Sequence, residues 1–426
     1  MRAMIIKTAV LMLLLLLSAM TTIYPQQHAA IPDLEQLIEE ALQNNPAYRS
    51  AVYEAQQANQ TISQAGALPD PILGLSAMNM PVDNFAFDQE PMTGKKLSLM
   101  QMFPFPGKLG LKEDIAAWQA KVIEYQVEEL KNNLIKNVKL TYYNLFFVEK
   151  SLTIVKKNKE LLKQFISVAE TKYSVGKGLQ QDVLKAQVEF SKLNDRMISL
   201  NQKRENLVFQ LNKLLNRDIK TVIKKLPEFN KTEVNFSLEN LQELGLEQRS
   251  LLKSWGAMIK KTKSANKLAK KGYLPDFSLA VAYTQRDDLL SGMKMYDFFS
   301  AEVKLNLPLY FYKKQSKKVE ETKLMISSVE EKYAAVRNEV FFQIENSLSE
   351  LRKNEQLIDL YKTGIIPQAS QSLNSAMSGY QVDKVDFLTL INNQMTLFNY
   401  EMEYYRVLSE YEKSLAQLET AVGKML

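Results

Sequence analysis

FSLAVAYTQ, residues 277–285, and FSAEVKLNL, residues 299–307, decide how this chain is read. In the first, Phe277, Leu279, Val281 and Tyr283 fall on one side, and Ser278, Ala280, Ala282 and Thr284 on the other. In the second, Phe299, Ala301, Val303, Leu305 and Leu307 oppose Ser300, Glu302, Lys304 and Asn306. A period of two with one apolar and one polar face is a strand pattern. Each window is about nine residues long, the length at which a tilted strand crosses a bilayer. ILGLSAMNM (72–80) and KLSLMQMFP (96–104) offer a second, less regular pair. Loops 81–95 and 286–298 join the members of each pair. Six of the thirteen prolines lie between Pro69 and Pro106, where helices must stop.

The surrounding chain is helical. Ile123, Val127, Leu130, Leu134, Val138, Thr141 and Leu145 step by three or four, and so do Val183, Ala186, Phe190, Leu193, Met197, Leu200 and Arg204. Leu388, Ile391, Met395, Phe398, Met402 and Tyr405 continue the pattern near the C-terminus. A 3.5-residue period is a coiled-coil seam. A helix from Leu111 to Thr171 would be about 90 Å long at 1.5 Å per residue.

The chain is written twice. LPD at 68–70 returns at 274–276, and Pro104 is answered by Pro308. Tyr173 is answered by Tyr380, and DVL at 182–184 by DFL at 386–388. The offsets stay between 204 and 207, so the chain has two homologous halves, 31–226 and 227–426. Each is expected to hold a helix, a strand hairpin, a long helix, a break and a second long helix. No proline lies between Lys112 and Leu226, and Gly176 and Gly178 are the only glycines there, so they mark the first break.

Residues 1–30 stand apart. Arg2 and Lys7 precede a Leu-rich core that is short for a membrane-spanning helix, and small residues follow. This is the layout of a secretory signal peptide, cleaved within 19–30. The chain has no cysteine, and its only histidine is His28. The commonest general base, metal ligand and thiol nucleophile are therefore missing or removed, which argues against an enzyme. There is no phosphate loop, zinc motif or other cofactor signature. A net charge of +6, spread along the chain, gives no nucleic-acid footprint.

Four strands cannot close a barrel, and open edges are not tolerated in lipid. Several chains must pool their strands if these cross a membrane. The alternative is a secreted coiled-coil adaptor or structural protein without a barrel.

The duplication, the ALPDP before strand one (67–71), the QMFPFPGK after strand two (101–108) and the YSVGKGLQQDVLKAQ at the break (173–187) resemble the TolC-like outer-membrane efflux channel family. The likeness covers about residues 31–426, and LPDP to FPGK is similar to channels of heavy-metal efflux systems. The resemblance implies a mainly α fold with a small transmembrane β part. A homotrimer would share a twelve-stranded barrel above a long periplasmic α-barrel. It implies an exit channel of a tripartite system, set in outer-membrane lipid and opened at its tip by a periplasmic adaptor and an inner-membrane pump. Both helix reversals would lie at that tip. Gly176, Lys177, Gly178 and Lys384 are then expected at the turns and the adaptor contact, and Asp383 and Asp386, with Asp182, around the entrance. Asp383 and Asp386 serve as turn and N-cap residues where the second tip lacks glycine, and Asp182 is an N-cap candidate in the first. The arginine that the family's closed tip places after the first glycine is missing; Gly178 and Val385 stand in that region.

Two groups keep two readings. Met78, Met80, Met100 and Met102 could hold soft Cu(I) or Ag(I), or simply pack. The lysines of YKKQSKK (312–318), with Lys108 and Lys112, form a solvated helix start or contact anionic headgroups.

Overall fold

The computed structural model describes residues 33–426. The expected signal peptide lies outside the described residues. Two short helices open each half: α1 (Leu34–Asn44) and α2 (Pro46–Gly66) in the first, α5 (Leu238–Gln248) and α6 (Ser250–Lys271) in the second. Asn45 caps α2 by accepting from the Tyr48 N–H at 3.1 Å, with Pro46 at the first position, where its missing N–H costs nothing.

The strands follow: β1 (Ile72–Met78), β2 (Gly94–Phe103), β3 (Phe277–Gln285) and β4 (Phe298–Leu305). The window 277–285 is met at both ends. Strand one stops at Met78 rather than residue 80, because Asn79 turns to φ 52°. Strand four starts one residue early and ends two early. The strands form one antiparallel sheet in the order β1-β2-β3-β4, so the hairpins of the two halves join through β2 and β3.

Long helices make the body. α3 (Lys108–Ser174) has 67 residues, about 100 Å at 1.5 Å per residue. It is followed by α4 (Gln180–Leu215). The second half repeats them as α7 (Gln315–Leu360), α8 (Ile366–Gln381) and α9 (Phe387–Val422). Both ends of α4 and α9 differ by 207 positions, and both helices close on a left-handed residue, Asn216 and Gly423. The second long helix is not continuous. A π-helical turn at Tyr361–Ile365 lies between α7 and α8. Pro367 explains it: a proline inside a helix lacks the N–H and crowds the carbonyl four residues back, and the wider turn absorbs the misfit.

Most of the seam residues form one core, but Leu130 and Leu388, expected on it, are exposed. Val138, Leu145, Val148, Val155 and Leu162 of α3 are buried with Ala186, Leu193 and Leu211 of α4, and with Leu390, Ile391 and Phe398 of α9. Arg204, an expected seam position, instead bonds to the buried Glu149 at 3.0 Å and to the Ile223 carbonyl at 3.0 Å. Glu149 also accepts the Leu226 N–H at 2.8 Å, and Glu412 the Thr232 N–H at 2.7 Å, so two buried carboxylates hold the connector between the halves against the helices.

Candidate functional site

The end of the helical body is built from two helix reversals, 175–179 and 382–386. Both are Schellman turns. In the first, the Lys177 N–H reaches the Lys172 carbonyl at 2.8 Å and the Gly176 N–H the Tyr173 carbonyl at 3.0 Å. In the second, Lys384 reaches Gly379 at 2.8 Å and Asp383 reaches Tyr380 at 3.4 Å, each 207 positions on. The motif needs a left-handed residue after the helix. Gly176 supplies it at φ 73° and Asp383 at φ 62°, so aspartate does the turn work expected of it.

Gly178 has another reason. It is not left-handed; a Cβ there would sit 2.9 Å from the Lys172 Cβ and 3.1 Å from the Tyr173 nitrogen. The equivalent pair is Gly379 and Val385, where a Cβ on the glycine would lie 2.6 Å from the valine Cγ2. Each turn brings these two positions together, and each places one glycine, on opposite sides of the contact.

The three acids differ in duty. Asp386 is the N-cap of α9, accepting the Thr389 N–H at 2.7 Å and its hydroxyl at 3.0 Å, and these bonds hold its carboxyl below the usual range. Asp182 is not a cap, contrary to expectation. Leu179 holds that position in α4 without a side-chain bond, and Asp182 lies one turn inside. Burial, and then the charge of Asp386, pushes the Asp182 carboxyl up. Asp383 is paired with Lys172, which also donates to the Tyr380 carbonyl at 2.5 Å and stands 4.4 Å over the Tyr380 ring. The Lys172 bond draws the Asp383 carboxyl down. The fold thus brings Asp182 and Asp383 to Tyr380 and Asp386 to Asp182, while Lys177 and Lys384 are exposed at the turn ends. Sequence reasoning missed Lys172. Its signal was the departure from the repeat, since its counterpart is Gly379.

At the opposite end the sheet has two unlike faces. The register pairs Leu73 with Leu99, Leu99 with Val281, and Leu279 with Val303, so these residues share one face, and it is exposed. Ala280 pairs with Glu302 and Ser98 with Ala282 on the other face. Met100 and Met102 lie on this polar face beside Ala280 and Ser278. Met78 faces the same way but pairs with Gly94, six residues along β2 from Met100, or about 20 Å. The methionines therefore form no single cluster. Lys108 is no headgroup contact either: its side chain is largely buried, bonded to Asp276 and to the Leu274 carbonyl, each at 2.8 Å. Lys317 and Lys318 pair with Glu320 and Glu321 one turn on, as in a solvated helix start. Among the described residues no helix is long and apolar enough to cross a membrane, and no group of three His, Cys, Asp or Glu side chains is placed to hold a metal ion.

A sheet with an exposed apolar face at one end, and paired helical reversals at the other, defines a membrane exit duct. The sequence profile of the outer membrane efflux protein family matches residues 37–217 and 241–424, one match per half. The chain belongs to the outer membrane efflux protein family. No curated protein sequence matches it. Among solved structures it is similar to the CmeC outer membrane channel of Campylobacter jejuni at 17% identity and TM-score 0.77, covering 92% of this chain and 85% of that one. VceC of Vibrio cholerae gives 16% and 0.77, covering 92% and 96%. CusC gives 16% and 0.79, covering 92% of each. The protein is an outer-membrane efflux channel with its helical body in the periplasm, and the reading as a coiled-coil adaptor without a barrel is set aside.

Proposed function

We propose that three copies assemble into one conduit, their four-stranded sheets pooled into a twelve-stranded barrel, and that the conduit opens at the helical tip when a periplasmic adaptor and an inner-membrane pump engage it. The open sheet carries this reading. It leaves β1 and β4 each with an unpaired edge, beside an apolar face that includes Leu75 at 79% and Val303 at 66% exposure. Unpaired backbone in lipid costs several kcal/mol per group, so the edges must find partners. The face carrying Val281 and Val303 meets lipid, and Ala280 and Glu302 face the lumen. At the tip, Asp182, Asp383 and Asp386 ring the entrance in three copies and favour cations. Gly176, Lys177, Gly178 and Lys384 form the outer turns where an adaptor docks. Transport is passive with respect to chemistry, since a chain without cysteine whose one histidine is His28 has no evident catalytic set. Residues 1–30 direct export and are removed, and the halves divide near residue 226.

The test is the native mass of detergent-extracted protein, which should be that of a trimer. A stable, monodisperse monomer from the membrane fraction would sink the reading.

A further inference from the structure

The joint between the two halves of the sheet is finished in one place and half-built in another. It is finished where β2 meets β3, in the register Phe103 opposite Phe277, Leu99 opposite Val281 and Lys95 opposite Gln285. At its base Asp276 accepts the Phe105 N–H at 2.7 Å and Lys108 Nζ at 2.8 Å, and the Phe103 and Phe277 rings stack at 5.4 Å. The LPD motif of the second half and the FPGK motif of the first are thus the two sides of one joint.

The repeat supplies both sides again, on strands that do not meet within one chain. Asp70 stands where Asp276 stands, 206 positions earlier, and Pro308 answers Pro104 at 204. Asp70 is exposed and has no hydrogen bond or ion pair among the described residues. β1 and β4 are the two outer strands of the sheet.

We infer that β4 of one copy pairs with β1 of the next in the register that β2 and β3 already use, with Asp70 of the next copy closing the joint. Carrying the two offsets across places Val303 opposite Leu75, Leu305 opposite Leu73 and Ala301 opposite Ala77 of the next copy. The faces agree independently. Val303 shares the apolar face with Val281 through β3, and Leu75 shares it through β1 and β2. A slip of one residue would turn every side chain to the wrong face, so the competing registers differ by two. At the base, Asp70 takes the Leu309 N–H in place of that of Phe105, drawing it from the Leu307 carbonyl, to which it donates at 2.9 Å within the single chain. The role of Lys108 passes to a donor between Lys313 and Gln315, because α7 begins three residues later in the repeat than α3.

The inference rests on the homotrimer proposed above, and one experiment separates the two. The cysteine-free chain gives a clean background for paired cysteines. Full-length Val303→Cys/Leu75→Cys protein in outer membranes, treated with a mild oxidant, should give covalent dimers and trimers on non-reducing gels. Val303→Cys/Leu73→Cys and Val303→Cys/Ala77→Cys should cross-link far less, because diagonal neighbours stand about 7–8 Å apart rather than 4.5–5.5 Å. Native mass of the reduced proteins reports the trimer separately. If a trimer forms but Leu73 or Ala77 cross-links faster than Leu75, the register is overturned and the trimer stands. If no trimer forms, both fall. Asp70→Ala should lower the temperature at which the trimer dissociates, and an unchanged value removes Asp70 from the joint.

Discussion

Asp182 and Asp386 open equivalent helices, DVL and DFL, yet only Asp386 caps its helix. Asparagine caps about as well as aspartate. Asp386→Asn should therefore melt near the native temperature while cation selectivity falls in planar bilayers, whereas Asp386→Ala should lose both. The folded-state carboxyl of Asp182 lies above its ordinary value, so the fold favours its protonated form. Its contribution to stability is complete below the ordinary aspartate range and is lost as pH rises through the folded value. Asp182→Asn should accordingly be as stable as the native protein at neutral pH, or more so. Asp383 and Asp386 are shifted the other way and keep their charge to lower pH. As pH falls, selectivity should weaken first through Asp182, and Asp386→Asn should move that first step to lower pH by removing the like charge beside it. Reversal potentials across a pH series read both steps. If Asp386→Asn leaves selectivity unchanged, Asp386 is a cap alone.

At the scale of elements, the two sheet faces give a ranking. Arginine on the lipid face of a barrel costs about 2–4 kcal/mol near the bilayer midplane. Val281→Arg should reduce the trimer yield in outer membranes well below that of Ala280→Arg, and the reverse order would mean that the faces are exchanged. These strands were legible in the sequence because one side of each is apolar and exposed and the other is mostly small or polar, so alternation runs undisturbed through 277–285. The helical seam was legible for the opposite reason, since residues a turn apart are buried together, as at Leu145, Leu193 and Leu200, while Leu130 and Leu388 fit the same period and are exposed. Three things were not legible. A period of seven does not show that Pro367 forces a π turn, since the apolar positions continue across it. Composition cannot separate a left-handed glycine from one kept for a close approach, as Gly176 and Gly178 show. A lone lysine in a motif can be solvated or buried, and only the fold brings Asp276 to Lys108.

Across the whole molecule, the two reversals at the tip are joined by a polar contact between halves far apart in sequence. Lys172 ends the first long helix and binds Asp383 and the Tyr380 carbonyl at the end of the second. An exposed ion pair is worth little, but the Lys172 side chain is largely covered and its bond to the carbonyl does not depend on Asp383. The contact therefore ties the two reversals together. If the entrance widens by separating them, this contact must break. Lys172→Met should raise the resting conductance of the purified channel in bilayers with no partner present. Asp383→Asn should do so less, because the Tyr380 carbonyl still accepts from Lys172. The Asp383 carboxyl is shifted down, so its part of the contact is present above the ordinary aspartate value of 3.8 and is lost as pH falls through the lower folded value. This part of the contact should accordingly hold from neutral pH down past the ordinary aspartate value, conductance should rise only as pH falls through the lower folded value, and Asp383→Asn should remove that rise. If Lys172→Met conducts like the native protein at neutral pH, the contact orders the turns without holding the entrance closed.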